Sequence, residues 1–421
     1  MTKIKMLSSQ NWRASACVIT LASLLALSGC GGGSSGNDSS GDNGSNTTFD
    51  LTAVLTGISG LMQRDFATLH TRMETLNTSV TAYCGDLSSA SREANRAQAQ
   101  QDFASAMDTL QNTLMYGGWS DGGGAYGIGP VQDDFRMTQL YSWPLTSTCN
   151  VDLALANDES DLVNAVNQRG MDIVQYLLFV DESANHSCPD NFLIDPDRAA
   201  VLNAFDNLDA ADKELRRCNF MRNLVSDARD SAATLDAGWA ADQGNFAAEM
   251  AGSTTPFETL NHITDGMFYF EKLIKEDKID KPLGGSVTNN PPTCGAGQLC
   301  PADLESPQAR LSKENLIANM QAFQRLYYGG SDDPSAQLGF DDWLTDEGHS
   351  ELATRFGDNI QAVIDGLQAI SGSFVEVFEN DIGPLTTLQL GPVKAVSDEL
   401  RFEVMPELGL ALPAGSVSDT D

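Results

Sequence analysis

Basic residues are scarce in this chain of 421 residues. Lysine and arginine together number 25 against 58 aspartates and glutamates, so the formal net charge is −33. A negative field of this size repels phosphate, which argues against nucleic acid and anionic lipid headgroups as partners. Only four histidines are present, and the helical zinc-protease motif His-Glu-x-x-His is absent. The content of 41% hydrophobic and 20% charged residues is nevertheless that of a globular protein.

A long apolar run occurs only near the N terminus. Residues 1–29 contain no acidic residue and place three basic residues before an apolar run at 14–27. The run is too short to span a bilayer as a helix but is typical of a signal peptide. It ends in Leu-Ser-Gly before Cys30, which resembles the lipobox of bacterial lipoproteins, where the cysteine becomes the lipidated first residue. The alternative is an ordinary cleaved secretory signal followed by an incidental cysteine.

The predicted lipid anchor sets the compartment of the mature chain. Gly31 rather than Asp follows Cys30, which by resemblance to lipoprotein sorting rules favours the outer membrane. Residues 30–48 are then the lipidated cysteine and a flexible Gly/Ser/Asn tether that holds the folded body in the periplasm. Loss of the signal peptide leaves 22 basic residues against 58 acidic ones, a net charge of 22 − 58 = −36. Such a field concentrates cations around the protein.

Six cysteines remain after the signal peptide is removed and Cys30 is acylated. An even number in an oxidising compartment predicts disulfides. Local spacing favours the pairs Cys294–Cys300 and Cys188–Cys218, which leaves Cys84–Cys149. The alternative is a thiolate metal site, although no Cys-x-x-Cys is present.

The body of the chain is predicted to be all-α. Apolar residues recur at steps of three and four over 51–80 and again over 352–377, the period of one face of an amphipathic helix. Further predicted helices cover 93–115, 158–180, 197–237, 256–275 and 312–328, with Asn157-Asp158 as the start of the second of these. No comparable set of alternating strands is present. Long helices of this kind are best buried in antiparallel bundles.

Two loop-rich stretches organise the predicted helices. The stretch 181–195 divides the body into an N-terminal helical bundle at 49–190 and a C-terminal one at 191–408, followed by a tail at 409–421. The stretch 281–307 is a second long loop, clipped by the predicted Cys294–Cys300 pair. Loops of this length in a compact domain are commonly functional or disordered.

Several familiar sites are not supported by the spacing of their residues. The glycines of 122–129 lack the Lys-Ser/Thr of a phosphate loop, and the acidic pairs of the chain do not fit a twelve-residue calcium loop. His262 and Asp265 lie one turn apart on a predicted helix and can share a metal. A surface or hydrogen-bonded histidine is the alternative.

Two segments hold the candidate site residues. In the first, Arg136, Ser142 and Trp143 precede a proline and are predicted to form a concave wall with polar tips. In the second, Asp172 and Gln175 project from one helical face, and Gly170 lets another backbone or a ligand approach closely. A buried hydrogen-bond network is the alternative explanation of Asp172 and Gln175.

These segments carry a resemblance to the imelysin-like proteins, also classified as M75 peptidases. The resemblance runs from about residue 49 to residue 405, behind a lipobox. Its marks, in order, are Ser142–Leu145, Arg169–Phe179, Lys281–Gly284, Glu305–Pro307, Asn319 and Tyr327–Gly329. It implies two helical-bundle halves, a functional site near their junction and an association with iron uptake.

The family signature is altered in this chain. The signature is Gly-x-His-x-x-Glu, and the matching residues here are Gly170, Asp172 and Gln175. Histidine and glutamate can jointly hold zinc or iron, whereas aspartate and glutamine offer only oxygen ligands, which suit harder ions and bind them less tightly. General acid–base catalysis also loses its histidine. The peptidase activity implied by the family classification is therefore not expected.

The leading hypothesis is a non-enzymatic periplasmic lipoprotein that binds a metal ion, iron or another divalent cation, or a metal-bearing ligand in iron acquisition. Asp172 would coordinate the ligand, Gln175 orient it and Arg136 neutralise an anionic group. The same pocket would be lined by Ser142, Trp143 and Gly170. One alternative is a helical scaffold that docks an outer-membrane transporter or a haem or redox partner in the periplasm. The other is a metallopeptidase, with ligands among His262, Asp265 and Glu305.

Overall fold

The computed structural model describes residues 49–88, 90–117, 136–160, 166–181, 183–285 and 292–413. The predicted signal peptide, Cys30, the tether, the glycines of 122–129 and residues 414–421 of the tail lie outside the described residues. Within the described ranges the regular elements are all helical and no strand occurs. The predicted all-α fold is confirmed. No helix in this part of the chain combines the length and the apolar character needed to cross a membrane.

The helices of the described residues range in length from 3 to 35 residues. They are α1 (Leu51–Gly85), α2 (Arg92–Gly117), α3 (Arg136–Leu140), α4 (Thr148–Ala156), α5 (Met171–Phe179), α6 (Pro196–Asp206), α7 (Ala210–Trp239), α8 (Phe246–Ala251), α9 (Pro256–Met267), α10 (Ser312–Tyr327), α11 (Phe340–Asp346), α12 (Ser350–Ala369), α13 (Phe374–Asn380), α14 (Gly383–Leu388), α15 (Lys394–Glu399) and α16 (Met405–Glu407). π-Helical segments occupy Phe270–Asp280, Gln389–Val393 and Leu400–Val404.

The longest helix, α1, packs against α2 and α7 along much of its length. It begins where the Asp50 carboxylate accepts the backbone N–H groups of Thr52 and Ala53, a standard N-cap. Its apolar positions face inward and are buried. Phe66 on that face contacts the rings of Tyr116 and Trp239, at centroid distances of 5.8 and 5.5 Å. Because each buried side chain of this size contributes about 1.5–3 kcal/mol, the apolar face determines where α1 lies.

A second layer of helices positions the candidate site. α10 packs against both α2 and α12. In turn, α12 packs against α11, α14, α15 and the two C-terminal π-helical segments. α5 is short and almost wholly buried, and it packs against α2 and α7. The segments that carry the site residues are therefore held by long helices on several sides.

The predicted helix at 158–180 is wrong in its extent. Asn157 ends α4 instead of starting a helix, and Asp158 adopts a left-handed φ of +57°. Gly170 then has a φ of +91°, so that α5 begins only at Met171. Asparagine and aspartate side chains form local hydrogen bonds that can end a helix as well as start one. The pair Asn157-Asp158 therefore did not by itself show which of the two occurs here.

Two other predicted helices are interrupted. The stretch 197–237 consists of α6 and α7, because the side chain of Asp209 accepts the backbone N–H of Asp212 and starts a new helix. The C-terminal stretch breaks between α12 and α13 at Gly372, whose φ is +75°. Glycine adopts this conformation at little cost, so it ends the helix despite the continuing apolar pattern.

The three disulfides are Cys84–Cys218, Cys149–Cys188 and Cys294–Cys300. The last pair was predicted correctly, and the predicted pairs Cys188–Cys218 and Cys84–Cys149 are wrong. The antiparallel packing of α1 on α7 brings the Cα atoms of Cys84 and Cys218 to 5.4 Å, although 134 residues separate them along the chain. Separation in sequence was a poor guide because helix packing determines which thiols meet.

The predicted division of the body at residues 190 and 191 stays a prediction. α7, which follows that point, packs along α1, which precedes it.

Candidate functional site

The N terminus of α5 lies against the segment that joins α3 to α4. The backbone carbonyl of Leu140 comes so close to Gly170 that a Cβ there would lie 3.1 Å from its oxygen. The Ser142 hydroxyl donates a hydrogen bond to the carbonyl of Arg169 at 2.7 Å. Gly170 and Ser142 therefore join the two predicted segments to each other.

Asp172 is a buried acid at the start of α5. One of its carboxyl oxygens, Oδ2, accepts the backbone N–H of Trp143 at 2.9 Å. Burial, and after it the charge of Glu305, raises the pKa of Asp172 to about 8, against the effect of the backbone hydrogen bonds. At neutral pH the Asp172 side chain therefore holds a proton.

Gln175 attaches α5 to the loop that precedes α10. Its side-chain oxygen Oε1 accepts the Ser306 hydroxyl at 2.7 Å and the backbone N–H of Ala309 at 3.0 Å. A carbonyl oxygen with two donors is well satisfied, so this atom serves to hold the loop. Because the loop occupies this oxygen, the prediction that Gln175 orients a ligand now concerns the NH2 group of its side-chain amide.

Glu305 lies in the same loop and is 3% exposed. Its oxygen Oε1 accepts hydrogen bonds from the Tyr141 hydroxyl and, at 2.7 Å, from the Gln111 amide. The Lys278 ammonium is 2.9 Å from the same oxygen. The other oxygen, Oε2, is buried and has no hydrogen-bond partner among the residues that the structure describes. A buried acceptor without a donor costs about 1–3 kcal/mol, so Oε2 calls for an explanation.

Lys278 supplies the positive charge beside Glu305. Besides Glu305, its ammonium donates to the side-chain oxygens of Gln111 at 2.8 Å and Asn319 at 2.7 Å. The rings of Tyr141 and Tyr269 lie 5.8 and 5.5 Å from the nitrogen. Burial lowers the pKa of Lys278 and the Glu305 carboxylate opposes this change. The three donors of the ammonium are matched by three oxygens.

A cavity of about 300 Å³ opens between α5 and the loop at 302–308. Asp172, Gln175 and Trp143 line it together with Glu305 and Lys281. Its volume lies at the lower end of the range of small-molecule sites. Of the predicted site residues, the structure thus brings Trp143, Asp172 and Gln175 to one cavity, with Ser142 and Gly170 bracing its wall. α3 begins at Arg136, whose side chain lies outside the described residues.

The family model of imelysin, peptidase family M75, matches residues 62–389, well over half of the chain. The chain belongs to the imelysin family. It is similar to the solved structure of a putative iron-regulated protein A precursor from Parabacteroides distasonis ATCC 8503, with 15% identity and a TM-score of 0.63 over 87% of this chain and 97% of that one. It is also similar to an imelysin-like protein from Psychrobacter arcticum 273-4, with 13% identity and a TM-score of 0.59 over 86% and 96% of the two chains. No curated protein matches the sequence significantly.

In the part of this imelysin that the structure describes, residues of the types that ligate metals do not cluster. That part contains no group of three or more histidine, cysteine, aspartate or glutamate side chains placed to hold a metal ion. His262 and Asp265 do meet, with 3.6 Å between Nδ1 and Oδ2, but the histidine side chain is 68% exposed. Asp303 lines the cavity, and its carboxylate accepts the backbone N–H and the hydroxyl of Thr293. Asp172 and Glu305 are the other two acids that line the cavity.

Lys278, Gln111 and Tyr269 were not recognised from the sequence of this imelysin. Gln111 and Lys278 are 167 residues apart, and each looks like a polar residue on the exposed face of a helix. The sequence indicated Asn319 only as a mark of the family, and Glu305 only as a mark of the family and as a ligand in the metallopeptidase alternative. A buried lysine is recognised by its partners, and those of Lys278 come from α2, α10 and the loop that precedes α10.

Proposed function

We propose that this imelysin binds a metal cation in iron acquisition, without catalysing a reaction, in the cavity that Asp172 and Glu305 line. The observation that carries the proposal is the unpartnered Oε2 atom of a glutamate that is 3% exposed. A cation or a donor group of a ligand would satisfy that atom. The connection to iron rests on the solved iron-regulated protein A precursor, whose fold this chain shares.

The donor set indicates what kind of cation fits. Two carboxyl groups do not fill the six or more positions of a hard ion, and among the described residues no third acid is placed to bind the same ion. The cation would therefore keep part of its own shell, as water or as the oxygens of a chelator, and the cavity of about 300 Å³ has room for such a group. Replacement of the signature histidine by Asp172 supports a binding function over a catalytic one.

The binding site is tested with Fe²⁺ under anoxic conditions, with Mn²⁺ as a second oxygen-preferring ion. We expect Asp172→Ala and Glu305→Gln each to weaken binding at least tenfold in calorimetric titrations, which is about 1.4 kcal/mol. Asp265→Asn is the matched control, because it removes the acid of the His262 pair and should leave the affinity unchanged. Equal affinities of the native protein and Asp172→Ala would remove the proposed site.

We further propose that Cys30 anchors the protein by its lipid to the periplasmic face of the outer membrane. The support is the order of basic residues, apolar run and Leu-Ser-Gly-Cys in the sequence. Labelled palmitate should be incorporated into the native protein and not into Cys30→Ala, which should move to the soluble periplasmic fraction. If Cys30→Ala stays in the outer-membrane fraction without incorporating label, the proposed lipid anchor at Cys30 is contradicted.

A further inference from the structure

We propose that a groove between α1 and α7 is a second binding site of this protein and takes a sugar that carries a carboxylate group. The groove is a cavity of about 450 Å³ and shares no lining residue with the cavity at α5. The inference therefore goes beyond the proposed function and does not depend on a metal ion. It rests on the groups that line the groove, on their partners and on the way the two helices hold them.

The side chains that line the groove are all polar. They belong to three asparagines, two serines, one threonine and two arginines, and none of these residues is acidic or apolar. Acids outnumber bases by 58 to 25 in the whole chain, so a lining with two bases and no acid is unusual here. Amide and hydroxyl groups donate and accept hydrogen bonds, as the hydroxyl groups of a sugar do. The lining therefore fits a hydroxyl-rich ligand and does not fit an apolar molecule or a cation.

Arg222 supplies the positive charge that selects an anionic ligand. It is exposed, and it forms no hydrogen bond or ion pair with another described residue. Arg229, the other base, already donates to the Asp230 carboxylate at 2.6 Å and to the Ser226 hydroxyl at 3.3 Å. A guanidinium presents paired N–H groups that match the two oxygens of a carboxylate. Because the net charge of −33 repels a doubly charged phosphate more strongly, a carboxylate is the better match for Arg222.

The asparagines supply hydrogen bonds for the sugar ring. The amide nitrogen of Asn223 donates to the backbone carbonyl of Ser160 at 2.6 Å, so its side-chain oxygen is left as an acceptor. Asn77 and Asn219 form no side-chain hydrogen bond with another described residue, so each offers a donor and an acceptor. Asn219 lies one turn before Arg222 on the same face of α7. The carboxylate and a neighbouring hydroxyl of one sugar can therefore be bound together.

Two long helices hold these groups in place. Cys218, next to Asn219, forms the disulfide with Cys84 and fastens α7 to α1 at one end of the groove. Beyond the other end, His70 Nδ1 lies 2.9 Å from Asp236 Oδ2. A site that is already formed loses less conformational entropy when its ligand binds. The groove thus presents its polar groups without a rearrangement of the helices.

The groove continues along α1 beyond the two arginines. A neighbouring cavity of about 440 Å³ shares Asn77 and Arg229 with it and is lined otherwise by three threonines and Glu74. Both volumes lie in the range of small-molecule sites. A carboxylate would be repelled by Glu74 and attracted by Arg222, so the uncharged hydroxyls of a second ring would lie towards the threonines. A disaccharide is therefore a suitable probe.

The site is tested with digalacturonate, which has a carboxylate on each ring, and with galactobiose, its neutral counterpart. Calorimetric titration of the purified protein at pH 7 should show saturable binding of digalacturonate with a dissociation constant of about 1 mM or lower. Galactobiose should bind about tenfold more weakly, because it lacks the partner of the guanidinium. Arg222→Gln should weaken the binding of digalacturonate about tenfold for the same reason.

Arg72→Gln is the matched control. Arg72 is an exposed arginine of α1 that lines neither part of the groove, so its replacement should leave the affinity unchanged. Arg222 has no partner among the described residues, so Arg222→Gln should keep the native melting temperature. A lower affinity of this variant then reports the loss of a ligand contact and not of the fold.

Four results would overturn the proposal. The first is equal affinity of the native protein and Arg222→Gln for digalacturonate. The second is equal binding of galactobiose and digalacturonate, which would remove the role of the carboxylate. The third is tighter binding of inorganic phosphate than of digalacturonate, which would assign the groove to another anion. The last is the absence of saturable binding at about 10 mM digalacturonate, ten times the highest expected dissociation constant.

Discussion

Replacing Lys278 by methionine is expected to lower the free energy of unfolding by about 3–5 kcal/mol. The change removes the charge that compensates Glu305 and the donors that satisfy the side-chain oxygens of Gln111 and Asn319. Because all of these groups are buried, water cannot replace the ammonium. Urea denaturation at pH 7, followed by circular dichroism, measures the loss.

A double variant separates charge from packing at this position. Lys278→Met combined with Glu305→Gln removes both charges, and we expect it to recover a large part of the stability lost in the single variant. Lys394→Met is the matched surface control. The side chains of Lys394 and Asp398 form an ion pair in which both are more than 40% exposed, so its loss should cost less than about 1 kcal/mol. Equal losses at positions 278 and 394 would mean that the buried ammonium has no special importance.

Removal of the Cys84–Cys218 disulfide is expected to cost about 5 kcal/mol. This disulfide closes a loop of 134 residues, so its loss returns a large conformational entropy to the unfolded chain. The same relation gives only about 2 kcal/mol for Cys294–Cys300, which closes a loop of 6 residues. The double variants Cys84→Ala/Cys218→Ala and Cys294→Ala/Cys300→Ala compare the two under identical, non-reducing conditions.

The order of the two losses is the informative result. A larger loss for Cys294→Ala/Cys300→Ala would show that native contacts of the loop, and not chain entropy, dominate the stabilisation. Those contacts exist, because the Cys300 N–H donates to the carbonyl of Pro282 at 2.7 Å and Thr293 holds Asp303 at the cavity. We therefore expect the short disulfide to support the cavity wall more than the stability of the whole fold.

The contacts of Asp172 and Gln175 show what the two altered signature residues do in the site. Asp172 places an acid at the signature histidine position, where burial, and after it the charge of Glu305, raises its pKa to about 8. Gln175 places an amide oxygen where two donors, Ser306 and Ala309, converge. Glu305, contributed by the loop, is another acid of the cavity. The cavity combines one protonated acid with one that is paired to a lysine.

Local patterns in the sequence were sufficient for the helices and for part of the site. The three- and four-residue spacing of apolar residues predicted α1 because burial against α2 and α7 requires one continuous apolar face. Asp172, Gln175 and Trp143 were identified as candidates, and they do line one cavity. The interruptions at Asp158 and Gly372 were missed, since turn-forming residues act through backbone conformations that the apolar pattern does not contain.

By itself the sequence determined an acidic, all-α chain, a set of helical faces and the family to which it belongs. Only the tertiary structure decided how Cys84, Cys149, Cys188 and Cys218 pair and which acid receives a positive charge. Gln111, Lys278, Glu305 and Asn319 come from segments separated by up to 208 residues, and they meet because α2, α10 and the π-helical segment pack together. Charge compensation in a buried site depends on distances of about 3 Å between such segments, and no local pattern of residues encodes those distances.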